Sequence, residues 1–329
     1  MVDVPTFADV KEAAARIAPY AVRTPMVESP ALSVMRGGCR VFLKLESLQR
    51  TGSFKFRGAA NRILMIPKDR RDAGVVAFSS GNHAQAVAAM AQLLKIPALI
   101  VMPADAPKAK IEGTRAFGAE IVTYDRVHDD REAIADRTCK ERGATLIKPY
   151  DDPQVIAGQG TAGLEIAEDA VRIGVSLDAV AAPCSGGGLV TGIALALKGA
   201  GCAAFVHSVE PENFDGMRRS LTAHARSTAP GGKLSIADAL MAPTPGHHVF
   251  AVADGLLAPG LAVTDEELAR AVAFAASKLK LLVEPGGAAA LAAFLAGKME
   301  AKTVVLVISG GNADFATVAN AVQASAQSG

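Results

Sequence analysis

A lysine between two phenylalanines is the first group in the sequence with a clear chemical use. Lys55 lies in the segment Thr51-Gly52-Ser53-Phe54-Lys55-Phe56-Arg57-Gly58. Apolar neighbours remove water from an amine, which lowers its pKa and favours the free base. A free amine is suited to Schiff-base chemistry. A lysine that merely packs its stem on an apolar surface has the same flanks, so the residues alone leave both interpretations open.

Three consecutive glycines form a second segment with binding potential, Ser185-Gly186-Gly187-Gly188. Glycines are useful where a ligand must approach the backbone closely, and amides at the start of a following helix would bind an anion. A tight strand-to-helix turn would use the same residues. The segment matches neither GxGxxG nor GxxxxGK[ST], so it predicts neither a dinucleotide site nor a P-loop.

Two more polar segments come directly after apolar runs. They are Ser79-Ser80-Gly81-Asn82-His83 and Ser309-Gly310-Gly311-Asn312. In α/β proteins ligands bind beyond the carboxyl ends of the strands, where such hydroxyl and amide groups would meet them. The same groups could instead cap the helices that follow. For His83 a structural role is favoured over metal binding.

The elements that would position these segments alternate between apolar strands and helices, as in parallel α/β folds. We predict strands at 74–79, 97–102, 119–124 and 145–148, with helices at 82–95, 107–117 and 129–142 between them. A second set has strands at 177–184, 204–209 and 303–308. Its helices are at 188–198, 264–279, 284–296 and 312–324, and residues 227–248 are predicted to be a surface excursion.

This order predicts an α/β protein with two doubly wound domains and a cofactor cleft between them. Residues 74–148 would form a small mobile domain. Residues 1–73 and 149–329 would together form the large cofactor-binding domain, into which the small one is inserted.

Composition excludes several classes of protein. The chain has 329 residues, 50% hydrophobic and 20% charged, with a formal charge of +1. A disordered chain would be charge-rich and apolar-poor, and a nucleic-acid coat would be basic. No apolar run reaches the ~20 residues of a membrane span, and the start lacks a secretory pattern. The four cysteines lack CxxC spacing, so we expect no zinc or disulfide framework and a cytoplasmic protein.

In combination the motifs resemble the threonine/serine dehydratase and serine racemase family, which are pyridoxal-phosphate enzymes of fold type II with a tryptophan-synthase-like fold. The match covers residues 24 to about 322. It is strengthened by Lys44-Leu45-Glu46, Ala157-Gly158-Gln159-Gly160-Thr161 and Val283-Glu284-Pro285. The chain ends soon after the last predicted helix, so we expect the short catabolic type without a regulatory domain.

The resemblance implies that Lys55 binds pyridoxal 5′-phosphate as a Schiff base and then removes the α-proton of the substrate. Other implied cofactor contacts are Phe54 beside the ring, Asn82 at the 3′-oxygen, the amides of Ser185, Gly186, Gly187, Gly188 and Leu189 at the phosphate, Glu284 near the ring edge and Ser309 at the pyridine nitrogen. Implied substrate contacts are Ser79, Ser80, Asn82, His83 and Arg131. Relatives usually open the phosphate loop with glycine, where this chain has Ser185, whose amide is still available.

The expected activity is an ammonia-lyase reaction on a 3-hydroxy amino acid, with L-threonine or L-serine as first choice. The products would be a 2-oxo acid and ammonia. Dehydration of 3-hydroxyaspartate is an alternative, because Arg131 lies where related racemases carry an arginine near bound diacids. Serine racemase is another, with Ser80 as the acid on the face opposite Lys55. A non-catalytic amino-acid sensor would not need Lys55, and a cysteine-synthase-like enzyme usually has a different lysine motif.

Two further expectations follow from the resemblance. A homodimer is implied, with a small amino acid as partner and no nucleic acid or membrane. A cation site is implied at Glu210 and the backbone carbonyl of Phe214, with an acid six residues after the glutamate. That position is Gly216 here, so we predict weak binding of Mg²⁺ or Ca²⁺ at best.

Overall fold

The computed structural model describes residues 3–35, 37–106, 108–125 and 127–327. The strands are β1 (Met26–Glu28), β2 (Arg40–Leu45), β3 (Val75–Phe78), β4 (Ala98–Pro103), β5 (Glu120–Tyr124), β6 (Thr145–Leu146), β7 (Ala179–Pro183), β8 (Phe205–Pro211), β9 (Leu261–Val263) and β10 (Thr303–Ile308). The helices are α1 (Phe7–Ile17), α2 (Pro30–Met35), α3 (Lys55–Leu64), α4 (Asn82–Leu94), α5 (Lys108–Arg115), α6 (Arg131–Arg142), α7 (Pro153–Arg172), α8 (Gly188–Gly199), α9 (Gly216–Ala223), α10 (His247–Ala253), α11 (Asp265–Phe274), α12 (Ala289–Leu295) and α13 (Phe315–Gln327).

A six-stranded sheet forms the larger layer, in the order β1-β2-β10-β7-β8-β9. All neighbouring strands are parallel except β1 and β2, which are antiparallel. Its two central strands, β10 and β7, are apolar except for Thr303 at the start of β10, because helices cover both faces of a parallel sheet. Val305 of β10, for example, lies opposite Phe42 of β2 and Val180 of β7.

A four-stranded parallel sheet, in the order β5-β4-β3-β6, forms the smaller layer. Its strands are those predicted between residues 74 and 148, with ends shifted by up to two residues. The predicted α/β class with parallel sheets is confirmed. The helix predicted at 107–117 is α5, and its first predicted residue, Pro107, lies outside the described residues.

Helix α3 packs in the core of the smaller sheet although it precedes residue 74. Its side chains Phe56, Ala59 and Ile63 share an apolar cluster with Val75 of β3 and Val87 of α4. The predicted division of the chain at residues 73 and 148 stays a prediction. The packing shows that the helix carrying Lys55 is attached to the smaller sheet.

The longest helix, α7, was not predicted from the sequence because its glycines obscure the apolar pattern. Those glycines permit close helix packing: a Cβ on Gly158 would lie 2.7 Å from Cα of Gly58 in α3. The sequence at the start of α7 does contain the residues of a helix N-terminus. Asp152 caps the helix by accepting from the amides of Gln154 and Val155, with proline in the first turn.

The prediction that residues 227–248 are a surface excursion is wrong for part of this segment. Ala237 and Leu240 are buried in the core of the larger sheet, and residues 238–243 border the cleft described below. Leu234 and Ile236 of the same segment are exposed, so apolar residue type alone does not show which of its side chains are buried. None of the described helices is long and apolar enough to cross a membrane.

Candidate active site

A cavity of about 360 Å³ lies between the two sheets. The loops that follow β3, β7 and β10 all border it, so carboxyl ends of strands from both sheets meet there. Every cofactor and substrate contact implied by the resemblance borders this one cavity: Phe54, Lys55, Ser79, Ser80, Asn82, His83, Arg131, Ser185, Gly186, Gly187, Gly188, Leu189, Glu284 and Ser309.

Lys55 is the first residue of α3, and its amine lies inside the cleft. Nζ donates a hydrogen bond to the carbonyl of Pro149 at 2.7 Å and lies 5.1 Å from the centre of the Phe54 ring. Burial lowers the pKa of Lys55 to about 8, while the carboxylate of Glu284 acts in the opposite direction. About a tenth of the amine is therefore uncharged at pH 7, far more than in an ordinary lysine, and the uncharged form is the one that a nucleophile or proton acceptor requires.

The chain before Lys55 is bonded to the loop after β10. The amide of Phe54 donates to the carbonyl of Ser309 at 3.1 Å, and the amide of Gly311 donates to the carbonyl of Gly52 at 2.9 Å. Ser53 and Gly310 form a backbone bridge between these two contacts. Lys55 and the nearly buried Ser309 are thus held in a fixed relation by backbone atoms.

A chain of side-chain hydrogen bonds joins the two sheets at the floor of the cleft. Nδ2 of Asn82 donates to Oε1 of the buried Glu284 at 2.6 Å, and Nδ2 of Asn312 donates to Oδ1 of Asn82 at 2.8 Å. Burial raises the pKa of Glu284 to about 7, and the Asn82 contact opposes this shift. The Glu284 carboxyl therefore changes protonation near neutral pH.

Two helices begin at this cavity without a side-chain cap from any described residue. They are α4, which starts at Asn82, and α8, which starts at Gly188. First-turn amides have no acceptor within their own helix and lie at the positive end of its dipole. Ser79 does not cap α4, since its Oγ accepts from the amide of Gly81 at 3.2 Å. The cleft therefore offers two anion sites.

Packing explains the glycines before α8. Gly187 has φ +95°, and a Cβ there would lie 2.5 Å from Cε of Met217. A Cβ on Gly186 would lie 2.3 Å from the Tyr150 ring. Ser185, which replaces the usual glycine, accepts a hydrogen bond on Oγ from the amide of Ala242 at 3.1 Å. Its hydroxyl therefore fixes the 238–243 segment to the loop.

His83 and Arg131 border the cavity in different ways. His83 is buried, and its Nε2 lies 2.8 Å from the carbonyl of Ile147, to which only a protonated nitrogen can donate. Burial lowers the pKa of His83 to about 3, so its ring is neutral at physiological pH. Arg131 stacks on the Phe78 ring, 5.5 Å from its centre, and none of the described carboxylates forms an ion pair with it.

The predicted cation site lies away from the cleft. Both carboxylate oxygens of the buried Glu210 accept backbone amides, from Met217 at 2.9 Å and Arg218 at 2.8 Å. Asp215, also buried, pairs with Arg218 and Arg219. Within the described part of the chain, no three His, Cys, Asp or Glu side chains gather to hold a metal ion. Weak binding at Glu210 and Phe214 stays a prediction.

Several residues border the cavity that the sequence did not single out as contacts. They include Phe78, Lys110, Tyr150, Gln159, Asn312 and the segment from Asp238 to Pro243. Gln159 and Asn312 belong to motifs that carry the resemblance, so the sequence could have indicated that they lie near the site. Phe78 directly precedes Ser79 in the chain, whereas Lys110, Tyr150 and the 238–243 segment reach the cleft through long-range folding.

The residues present fit pyridoxal phosphate. The glycine segment borders the cavity directly before α8, whose uncapped first-turn amides suit a phosphate. The Lys55 amine of lowered pKa suits an aldehyde, and Ser309 and Asn82 offer polar contacts to the edge of a ring in the same cavity.

Comparisons with known proteins agree with this geometry. Residues 17–310 match the family model described as pyridoxal-phosphate dependent enzyme. The chain is 39% identical to the catabolic L-threonine dehydratase TdcB of Staphylococcus aureus over 96% of its length and 91% of that protein. It is 42% identical to the L-threo-3-hydroxyaspartate ammonia-lyase of a Pseudomonas species, covering 94% of this chain and 96% of the other.

A solved structure extends the likeness to the whole fold. Maize serine racemase superposes with a TM-score of 0.90 and 36% identity, covering 99% of both chains. The resemblance found in the sequence is thereby confirmed, and the chain belongs to the pyridoxal-phosphate dependent enzymes of fold type II.

Proposed function

We propose that this protein is a pyridoxal-phosphate-dependent ammonia-lyase that dehydrates a small 3-hydroxy amino acid, with L-threonine or L-serine as first choice. One observation carries the proposal: the amine of Lys55, with a pKa of about 8, shares a cavity with two uncapped helix starts. The relative named as a catabolic L-threonine dehydratase supports the choice of substrate.

Different groups in the cleft would hold the cofactor and the substrate. The amides from Ser185 to Leu189 would hold the phosphate, the Ser309 hydroxyl would face the ring nitrogen, and Lys55 would hold the aldehyde carbon. The start of α4 would receive the substrate carboxylate through its free amides. Since His83 is neutral and bonded to the carbonyl of Ile147, its ring forms part of the cleft wall without adding a charge there.

Bound pyridoxal phosphate supplies an electron sink for the electrons released when the α-proton leaves. Lys55 Nζ, once freed, would accept that proton, and its lowered pKa keeps it competent near neutral pH. Ser309 would present a neutral hydroxyl, rather than a carboxylate, to the ring nitrogen. The 238–243 segment and the loop from Ser79 to His83 both border the cavity, where they would exclude water.

Reduction with borohydride followed by mass spectrometry tests the site. We expect the purified holoprotein to carry a pyridoxyl group on Lys55 after reduction. An adduct on another lysine, or none at all, would contradict the proposal. Release of a 2-oxo acid from L-threonine or L-serine then separates an enzyme from a non-catalytic amino-acid sensor, which would bind the amino acid without turnover.

A second candidate substrate is 3-hydroxyaspartate. The guanidinium of Arg131 borders the cavity and pairs with none of the described carboxylates, so it suits a second carboxylate of the substrate. The relative named as an L-threo-3-hydroxyaspartate ammonia-lyase is 42% identical. Activity should be compared on D- and L-3-hydroxy amino acids, including both 3-hydroxyaspartate diastereomers. If the diacid is the substrate, Arg131→Gln should reduce its kcat/KM far more than that of threonine. Arg137→Gln, on the exposed side of α6, is the matched control.

Racemisation is the other alternative, and Ser80 distinguishes it. Ser80 borders the cavity, and a racemase needs an acid on the face opposite Lys55. We expect Ser80→Ala to retain part of the elimination from the L-substrate and to lose any racemisation, measured by chiral chromatography of incubated serine. Undiminished racemisation would remove Ser80 from the mechanism. The homodimer and the cytoplasmic location stay predictions, and light scattering tests the first.

A further inference from the structure

The amide of Asn312 connects three segments that meet at the cleft. Its Nδ2 donates to the backbone carbonyl of Thr51 at 2.8 Å and to Oδ1 of Asn82 at 2.8 Å. An amide nitrogen carries two hydrogens, so these two bonds use both of them. Asn312 is the last residue of the Ser-Gly-Gly-Asn motif, but the resemblance assigns it no contact with the cofactor or the substrate.

The Thr51 carbonyl determines which way these side-chain amides point. A backbone carbonyl can only accept, so it requires the nitrogen of Asn312 and not the oxygen. Reversing Asn312 would place its Oδ1 against the oxygens of Thr51 and Asn82. Asn82 must in turn present Oδ1 to Asn312, which leaves its Nδ2 for Glu284 at 2.6 Å. The second Nδ2 hydrogen has no acceptor among the described residues, although Asn82 borders the cavity.

The backbone around this chain of amides is shaped to hold it. A Cβ on Gly52 would lie 2.3 Å from Oδ1 of Asn312, and a Cβ on Gly310 would lie 2.0 Å from Oε1 of Glu284. Thr51 itself has φ +64°, a left-handed conformation that is unusual for a β-branched residue. Strained residues of this kind persist where the surroundings fix them, and they cluster at functional sites.

We propose that Asn312 is a positioning residue that sets the polarity of the Asn82 side chain, so that an N–H group and not an oxygen faces the cofactor. This inference rests on the proposed function, in which Asn82 contacts the 3′-oxygen. A donor at that place favours the ionised form of the 3′-oxygen, whereas an acceptor would favour the protonated hydroxyl. Asn312 would thereby control the ionisation of the bound cofactor without touching it.

The variant Asn312→Asp tests the proposal, because an ionised carboxylate has nearly the same shape and donates to neither neighbour. We expect Asn82 to turn its nitrogen toward the new carboxylate. The protonated form of the bound cofactor should then persist to higher pH in an absorbance titration of the holoprotein. Cofactor affinity should fall about tenfold, as for the loss of one charge-assisted hydrogen bond. Asn312→Ala, which adds no charge, should shift the titration less, in the same direction.

The control is Asn320→Asp, which makes the same change at an exposed position on α13. It should leave the absorbance titration unchanged. If both Asn312 variants lose thermal stability but titrate like the wild type, Asn312 is only structural and the proposal is overturned. If wild-type protein gives no borohydride adduct on Lys55, the proposed function itself fails. An adduct combined with an unchanged titration contradicts the Asn312 inference alone.

Discussion

At the scale of single residues, only one of the two phenylalanines that flank Lys55 lies beside its amine. The sequence predicts that both remove water from this amine. In the structure the Phe54 ring lies 5.1 Å from Nζ, whereas Phe56 is buried in the core of the smaller sheet. The partner of the amine, the Pro149 carbonyl, is 94 residues away along the chain. No local pattern contains such a contact.

The lowered pKa of Lys55 can be measured in protein freed of cofactor. An ordinary lysine has a pKa of about 10.4, so less than about 1% of it is uncharged at pH 8. With a pKa of about 8, roughly half of Lys55 is uncharged at that pH. Labelling with an acylating reagent at several pH values, read by mass spectrometry, should show Lys55 reacting at lower pH than the exposed Lys68. Identical pH curves for the two lysines would contradict the shift.

At the scale of elements, buried charges fix the helix that carries Lys55. Arg57 of α3 is 1% exposed and pairs with Glu46 at 2.7 Å, just after β2, and with Glu165 of α7 at 2.7 Å. Lys44 of β2 is also buried and pairs with Glu165. Lys44, Glu46 and Arg57 belong to motifs that the sequence analysis names, whereas Glu165 does not. Their pairing was not visible in the sequence, because three distant segments supply them.

Removal of Arg57 should destabilise the whole protein. Arg57→Met removes the buried ion-pair partner of Glu46 and leaves Glu165 with Lys44 alone, which costs about 3–5 kcal/mol. The control is Arg40→Met, because Arg40 pairs with Glu28 at 2.7 Å on the exposed surface. An exposed pair contributes about 0–1 kcal/mol. Urea denaturation should show a larger loss of unfolding free energy for Arg57→Met than for Arg40→Met. Equal losses would show that the buried cluster does not anchor α3.

The two ends of α8 provide a matched pair of glycines. Gly187 precedes the helix with φ +95°, and Gly201 follows it with φ +76°. Alanine at Gly201 meets no atom within 4 Å and adds only backbone strain of about 1–2 kcal/mol. Alanine at Gly187 also meets Met217 and Val249, so overpacking adds about 1–3 kcal/mol. We expect only Gly187→Ala to weaken cofactor retention in dialysis, and equal retention would argue against the phosphate assignment.

At the scale of the whole molecule, the predictable part of the fold is the part built from neighbours in sequence. The smaller sheet was found because its strands and helices alternate over short connections. In the larger sheet β2 pairs with β10, more than 250 residues later, and nothing local indicates that partnership. The residues of the cleft were identified by motif. The surrounding segment 238–243 was missed because it reaches the cleft through tertiary packing.

Closure of the cleft is the prediction that involves the whole molecule. Nζ of Lys110 on α5 lies 2.5 Å from Oδ2 of Asp238, and this ion pair joins the smaller sheet's side to the 238–243 segment at the border of the cavity. Both side chains are partly exposed, and such a pair contributes only about 0.2–1 kcal/mol. A contact this weak can open and reform in every catalytic cycle, as movement of residues 74–148 would require.

Hydrogen exchange measures this closure. L-Alanine lacks a leaving group at its β-carbon, so it should close the cleft without elimination and slow amide exchange at residues 79–83 and 238–243. Lys110→Met should restore faster exchange at 238–243 in the L-alanine complex. The control is Arg142→Met, which breaks an exposed pair with Glu120 of β5, away from the cleft border. If exchange at both segments is the same with and without bound L-alanine, residues 74–148 do not close over the substrate.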